Sequence, residues 1–194
     1  MDENGQPKYI ICVSGTAETA FLDEKAMHIA EELGAEIVRQ GAALVVGATT
    51  GFPYWAAKGA KKAGGIVVGV SPAGTKKEHV ETYKLPVDYH DLIFYTGYGY
   101  NGRDLFLIKL ADAVVFGPGR IGTINEFTIT FEDKKPIGIF QSDLWETDEL
   151  IKEIINKSHR GEEIKDLITY SSNPKELIGK MMDMVKREDP ARRD

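Results

Sequence analysis

This 194-residue sequence predicts an α/β chain built on a Rossmann-like doubly wound sheet, mostly parallel, of about six to seven strands with helices on both faces. Three observations lead there. Short apolar runs alternate with segments of helical period along the whole length, the βαβα order that lays helices on a parallel sheet. The runs lack the polar alternation of half-exposed strands, as expected where both faces are covered. Three of the runs empty into turns rich in glycine and hydroxyl residues, which converge at the carboxyl edge of such a sheet.

The strand candidates are residues 9–13, 43–46, 66–70, 92–95, 113–116 and 137–140, with 167–170 as a weaker seventh. Between the first two, Ala26, Ile29, Ala30, Leu33 and Ile37 mark one helical face, and Gly41 follows as a stop. Pro53 opens a second helix that ends near Gly64 and Gly65. Residues 103–110 and 123–131 read as the third and fourth, and Leu150, Ile151, Ile154 and Ile155 stripe a fifth. The last helix has Asn173 as its cap, Pro174 in first position and Glu176 where a capping box wants an acid. Leu177, Ile178, Met181, Met182 and Val185 give it an apolar face, the methionines as core filler. A single domain over residues 1–194 is expected, with flexible ends at 1–7 and 187–194.

Composition bounds the function. Apolar content of 42% and charged content of 28% are ordinary for a globular protein. The net charge of −6, with no basic stripe on any helix candidate, argues against nucleic acid as a partner. A polar, acidic start and the lack of a long apolar run suggest a cytoplasmic protein with no membrane association. His28, His79, His90 and His159 lack metal-ligand spacing, and neither a metal nor a cofactor is expected.

The chemistry concentrates in the three turns. The first is Ser14, Gly15, Thr16; the second runs from Gly47 through Ala48, Thr49 and Thr50 to Gly51; the third is Gly117, Pro118, Gly119, Arg120, Ile121, Gly122, Thr123. Glycines let the backbone approach a ligand, hydroxyls donate to phosphate oxygens, and a helix entered from such a turn offers free amides and the positive end of its dipole. The third turn also fits G-x-G-x-x-G literally, with Asp143 as a conceivable ribose acid. It follows about the fifth strand rather than the first, so a dinucleotide site is the weaker reading. Glu126 sits one turn into the helix. It serves either a ligand or, as the acid of the T-x-x-E run from Thr123, the helix cap. Tyr95 to Gly102 reads as a mobile flap or an ordinary loop, and Trp55 as pocket lining or interface.

The run from Pro118 to Glu126 resembles the PGG-x-GT-x-x-E signature of the LOG ("Lonely Guy") proteins, formerly described as possible lysine decarboxylases. Arg103, fifteen residues before Pro118, stands where that family has the arginine of a second signature, and Ala111-Asp112-Ala113 is similar to its (S/A)DA strand. The likeness spans roughly residues 8 to 145 and extends to the first and second turns. It implies a homodimer and phosphoribohydrolase activity on nucleoside 5′-monophosphates of AMP type. Related branches include molybdenum-cofactor carriers, which bind without hydrolysis. Four departures stand out: Arg120 for the second glycine, Asp104 where hormone-activating members carry lysine, Asn125 for an acid, and Ala48 and Thr49 for the middle glycines of the second turn.

From these residues comes a mechanism. The phosphate rests on the amides of residues 119–123 with the hydroxyls of Thr123 and Thr16. Glu126 faces the anomeric carbon, stabilising the oxocarbenium-like state and the attacking water. Arg103 holds the substrate or supports the departing base.

Overall fold

The computed structural model describes residue 5 and residues 7–188. Seven strands form one sheet: β1 (Ile10–Ser14), β2 (Ala43–Val46), β3 (Val67–Ser71), β4 (Leu92–Tyr95), β5 (Ala113–Phe116), β6 (Ile137–Phe140) and β7 (Ile168–Ser171). Their spatial order is β4-β3-β2-β1-β5-β6-β7, and every pairing is parallel. The expected strands are thus all present, each within one residue of its predicted bounds, and the weak seventh is a true edge. The order reverses between β1 and β5, which opens a crevice at the carboxyl ends of the two strands.

The helices are α1 (Glu24–Arg39), α2 (Phe52–Lys62), α3 (Lys76–Glu81), α4 (Gly99–Leu110), α5 (Ile121–Glu132), α6 (Thr147–Ser158) and α7 (Pro174–Glu188). Successive strand residues feed opposite layers. Ile11, Val13, Leu44, Val46 and Val115 pack under α1, α2 and α7, while Cys12, Val45, Val70, Val114 and Phe116 pack under α4 and α5. That two-sided burial is why the strands read as unbroken apolar runs. Among the described residues no helix is long and apolar enough to cross a membrane.

Three expectations need correction. The third helix begins at Gly99 rather than Arg103, so half of the supposed flap is its first turn. The fourth begins at Ile121 rather than Thr123. Helix α3 had no expected counterpart; it is six residues long and capped by Thr75, whose hydroxyl accepts from the Glu78 amide at 3.1 Å. The frayed tail expected beyond Lys186 falls outside the described residues, apart from Arg187 and Glu188, which complete α7.

Buried His79 closes α3 onto the sheet. Its Nε2 donates to the Pro86 carbonyl at 2.9 Å, which leaves Nδ1 to accept from the Ser71 hydroxyl at 2.8 Å. Helices α1 and α2 meet backbone to backbone through two glycines. A Cβ on Gly34 would stand 1.9 Å from the Ala56 carbonyl oxygen, and one on Gly59 would stand 1.9 Å from that of Glu31. Backbone cannot yield as a flexible side chain can. Gly59→Ala is therefore expected to lower unfolding free energy by about 2–3 kcal/mol, read as a drop in the urea midpoint at unchanged m-value.

Candidate functional site

The loops after β1, β2 and β5 meet helix α4 around a cleft of about 230 Å³ at the carboxyl edge. Of the residues singled out in the sequence, Gly15, Thr16, Gly47, Arg103, Arg120, Gly122, Thr123 and Glu126 line it. Ser14 lies just behind, its hydroxyl donating to Glu126. Pro118, Gly119 and Ile121 face a second groove of about 720 Å³ toward α6, which shares Thr16 and Arg120 with the cleft. Gly51, Thr50 and Gly117 hold the loops together. The Thr50 hydroxyl donates to the Ala17 carbonyl at 2.7 Å, Gly51 (φ +73°) sits where a Cβ would strike the Thr16 carbonyl, and a Cβ on Gly117 would enter the Phe52 ring.

The anion cradle is narrower than the sequence suggests. The first intrahelical bond of α5 runs from the Ile124 amide to the Arg120 carbonyl at 3.0 Å. The amides of Ile121, Gly122 and Thr123 precede it and have no acceptor within the helix. Gly119, expected in the cradle, instead donates its amide to Thr147 Oγ1 at 2.8 Å, and Gly117 donates to the Ser14 carbonyl at 3.0 Å. Arg120 does not obstruct the loop. Its guanidinium turns outward, 3.4 Å from Glu18 and stacked 4.7 Å above the Phe21 ring.

Glu126 is not a cap. Because α5 starts at Ile121, Thr123 is its third residue, and Glu126 lies inside the helix on the cleft side. Only 7% of it is exposed. Its carboxylate accepts from Ser14, stands 3.8 Å from Arg103 Nη1, and neighbours Asp104. Burial lifts its pKa from 4.5 to about 7; Arg103 opposes the rise and Asp104 adds to it. Arg103 is equally enclosed, with Nε 3.2 Å from Asp104 Oδ1 and Nη1 where a Cβ on Gly47 would be. The absence of a side chain at Gly47 is what lets the guanidinium in.

Two departures from the LOG pattern touch each other: Asn125 Nδ2 donates to Asp104 Oδ2 at 2.8 Å. At the two positions where the LOG pattern has a lysine and an acid, this chain has an acid and an amide. Glu126 therefore has a second carboxylate, Asp104, near it in addition to the Arg103 guanidinium. Sequence reasoning noted both substitutions but not their contact, because residues 21 apart on two helices give no local signal. Thr49, named above only as part of the second turn, and Tyr100, named as part of a flap or loop, both line the cleft. Trp55 is half-buried under Lys58, whose Nζ lies 3.9 Å from the ring centroid, and is not in the cleft lining.

Comparison with known proteins places this geometry in context. The model of the SLOG cluster4 family matches residues 8–178. An uncharacterized protein of Archaeoglobus fulgidus is 32% identical over 115 residues, 59% of this chain and 70% of that one. The molybdenum cofactor binding protein from the phototrophic bacterium Rippkaea orientalis is similar at a TM-score of 0.71 and 25% identity, over 93% of this chain and 96% of the other. The molybdenum cofactor carrier protein from Chlamydomonas reinhardtii gives 0.73 and 26%, over 92% and 98%.

Proposed function

The chain belongs to the SLOG cluster4 family, and from that footing we propose that its cleft binds a nucleoside 5′-monophosphate and hydrolyses the N-glycosidic bond to free base and ribose 5-phosphate. One observation carries the reading: a buried carboxylate on α5, free of any capping duty, shares a cleft with Gly122 and Thr123 of the same helix's first turn, whose amides have no acceptor within the helix, and with an enclosed arginine. The phosphate seats on the amides of residues 121–123, assisted by the dipole of α5 and the hydroxyls of Thr123 and Thr16. Positive charge develops on the ribose as the bond to the base breaks. Ionised Glu126 stabilises it and takes a proton from the water whose oxygen bonds to the anomeric carbon; the departing nitrogen takes its proton from solvent, to which Glu126 later returns its own. Arg103 keeps Glu126 ionised for part of the neutral range and orients it. The test follows ribose 5-phosphate release from a panel of nucleoside monophosphates.

A second reading has its own support. The two structural neighbours just described are a molybdenum cofactor binding protein and a molybdenum cofactor carrier. A phosphate-bearing cofactor on the same amides would make this chain a carrier, with Glu126 shaping the pocket. Nucleotide-dependent thermal stabilisation without any ribose 5-phosphate supports this reading against hydrolysis.

The protein acts as a homodimer in this proposal, through the face beside α4. The register pairs Leu92 with Val68 and Phe94 with Val70, so both side chains of edge strand β4 lie on the α4 layer, half exposed. Leu105, Phe106 and Leu110 of α4 are similarly exposed, and Tyr98 stacks on Phe106 at 5.6 Å. An apolar face of this kind next to an unpaired strand edge calls for a partner. Sedimentation should give a dimer for the native chain and a monomer for Phe94→Asp combined with Phe106→Asp; a native monomer at micromolar concentration refutes the assembly.

A further inference from the structure

Thr49 follows β2 and lines the cleft beside Gly47 and Arg103. The residue is 5% exposed, and its buried Oγ1 has no hydrogen-bond partner among the described residues. A hydroxyl removed from water and left unpaired destabilises the protein that carries it. The residue before it, Ala48, is held at φ +48°, a left-handed conformation that side chains disfavour. Two unfavourable features thus stand side by side at the wall of the cleft, at positions where the LOG pattern has glycines. A packing role does not account for them. Valine would fill the same space without an orphaned hydroxyl, and glycine would relax the backbone.

We propose that Thr49 is a binding residue, its hydroxyl donating to a ribose hydroxyl of the bound nucleotide. This rests on the nucleotide reading of the cleft. The loops after β2 and β5 are separated by two strand spacings, roughly 10 Å. At that separation a phosphate seated on the amides of α5 is a poor partner for Thr49. The ribose hydroxyls lie several ångströms beyond the phosphorus and can bridge the gap. The free protein carries the unpaired hydroxyl, and the ligand supplies its partner.

The test compares native protein, Thr49→Val and Thr49→Ser by thermal melting and calorimetric titration with AMP, GMP and their 2′-deoxy and 3′-deoxy forms. Without ligand, Thr49→Val should melt about 2–4 °C above native, because the orphaned group is gone. It should bind the ribonucleotide about tenfold more weakly. It should also lose the native discrimination against one of the deoxy forms, while Thr49→Ser keeps both affinity and discrimination. If Thr49→Val binds ribonucleotides as native does, or discriminates between the sugars as native does, the assignment to Thr49 is overturned and the nucleotide reading stands. A valine variant that melts below native shows the hydroxyl already satisfied and overturns it equally. Native protein that binds none of the six compounds overturns both.

Discussion

Glu126→Gln should lower ribose 5-phosphate release by about 10³-fold or more while leaving nucleotide affinity within a few-fold, because the amide keeps the shape but neither accepts a proton nor carries charge. The same variant should be more stable than native at pH 8. Burial is the main reason the Glu126 carboxyl rises from 4.5 to about 7, with Arg103 opposing and Asp104 reinforcing. The folded state therefore holds this proton more tightly than the unfolded chain does. The contribution of the group to stability is fully present below about pH 4.5 and is lost as pH rises through about 7, a loss of about 1–3 kcal/mol. Glutamine escapes that loss. Chemical denaturation at pH 5 and pH 8 should show the native–variant gap open at the higher pH only. Hydrolysis by the native protein should climb through a midpoint near pH 7 as Glu126 ionises. Turnover in the glutamine variant within tenfold of native would remove Glu126 from the chemistry.

Much of this was legible before any coordinates, and the reasons differ by element. The five inner strands announce themselves because burial on both faces leaves unbroken apolar runs, whereas edge strands β4 and β7 are part-exposed; α7 is legible because Asn173 caps it as read, its Oδ1 accepting from the Glu176 amide at 3.0 Å. Capping signals nonetheless misled in both directions. Thr75 to Glu78 forms a real cap on a helix that was not expected, whereas Thr123 to Glu126 carries the same pattern and caps nothing. The difference is tertiary. The Pro118 carbonyl accepts the Thr16 amide at 2.6 Å and the Gly119 amide is tied to Thr147, so the turn after β5 is fixed from outside and the helix starts two residues early. That shift turns Glu126 from a cap into a cleft residue. No window of local sequence contains it. The convergence of the three loops was readable from fold class alone; the Asp104–Asn125 contact and the orphaned hydroxyl of Thr49 were not.

Removing the cation enclosed beside the cleft should be the most damaging change to stability. Arg103 stands between two carboxylates, 3.2 Å from Asp104 and 3.8 Å from Glu126, with all three side chains more than nine-tenths buried. Arg103→Ala leaves both acids without a counter-charge in a poorly solvated cleft and is expected to cost about 3–5 kcal/mol at pH 8. The deficit should shrink toward pH 5, where Glu126 takes up a proton and loses its charge. Glu126 in that variant should hold its proton to still higher pH, so whatever hydrolysis survives should have its rising limb displaced to the alkaline side. Gly47→Ala separates charge from position. A methyl there occupies the place of Arg103 Nη1, at 1.5 Å, and pushes the guanidinium aside without altering the number of charges. Because an arginine side chain can swing while backbone cannot, this variant should keep most of its stability yet lose hydrolysis. Full activity in Gly47→Ala would mean that the guanidinium serves the fold alone, and that Glu126 works without an oriented cation at its side.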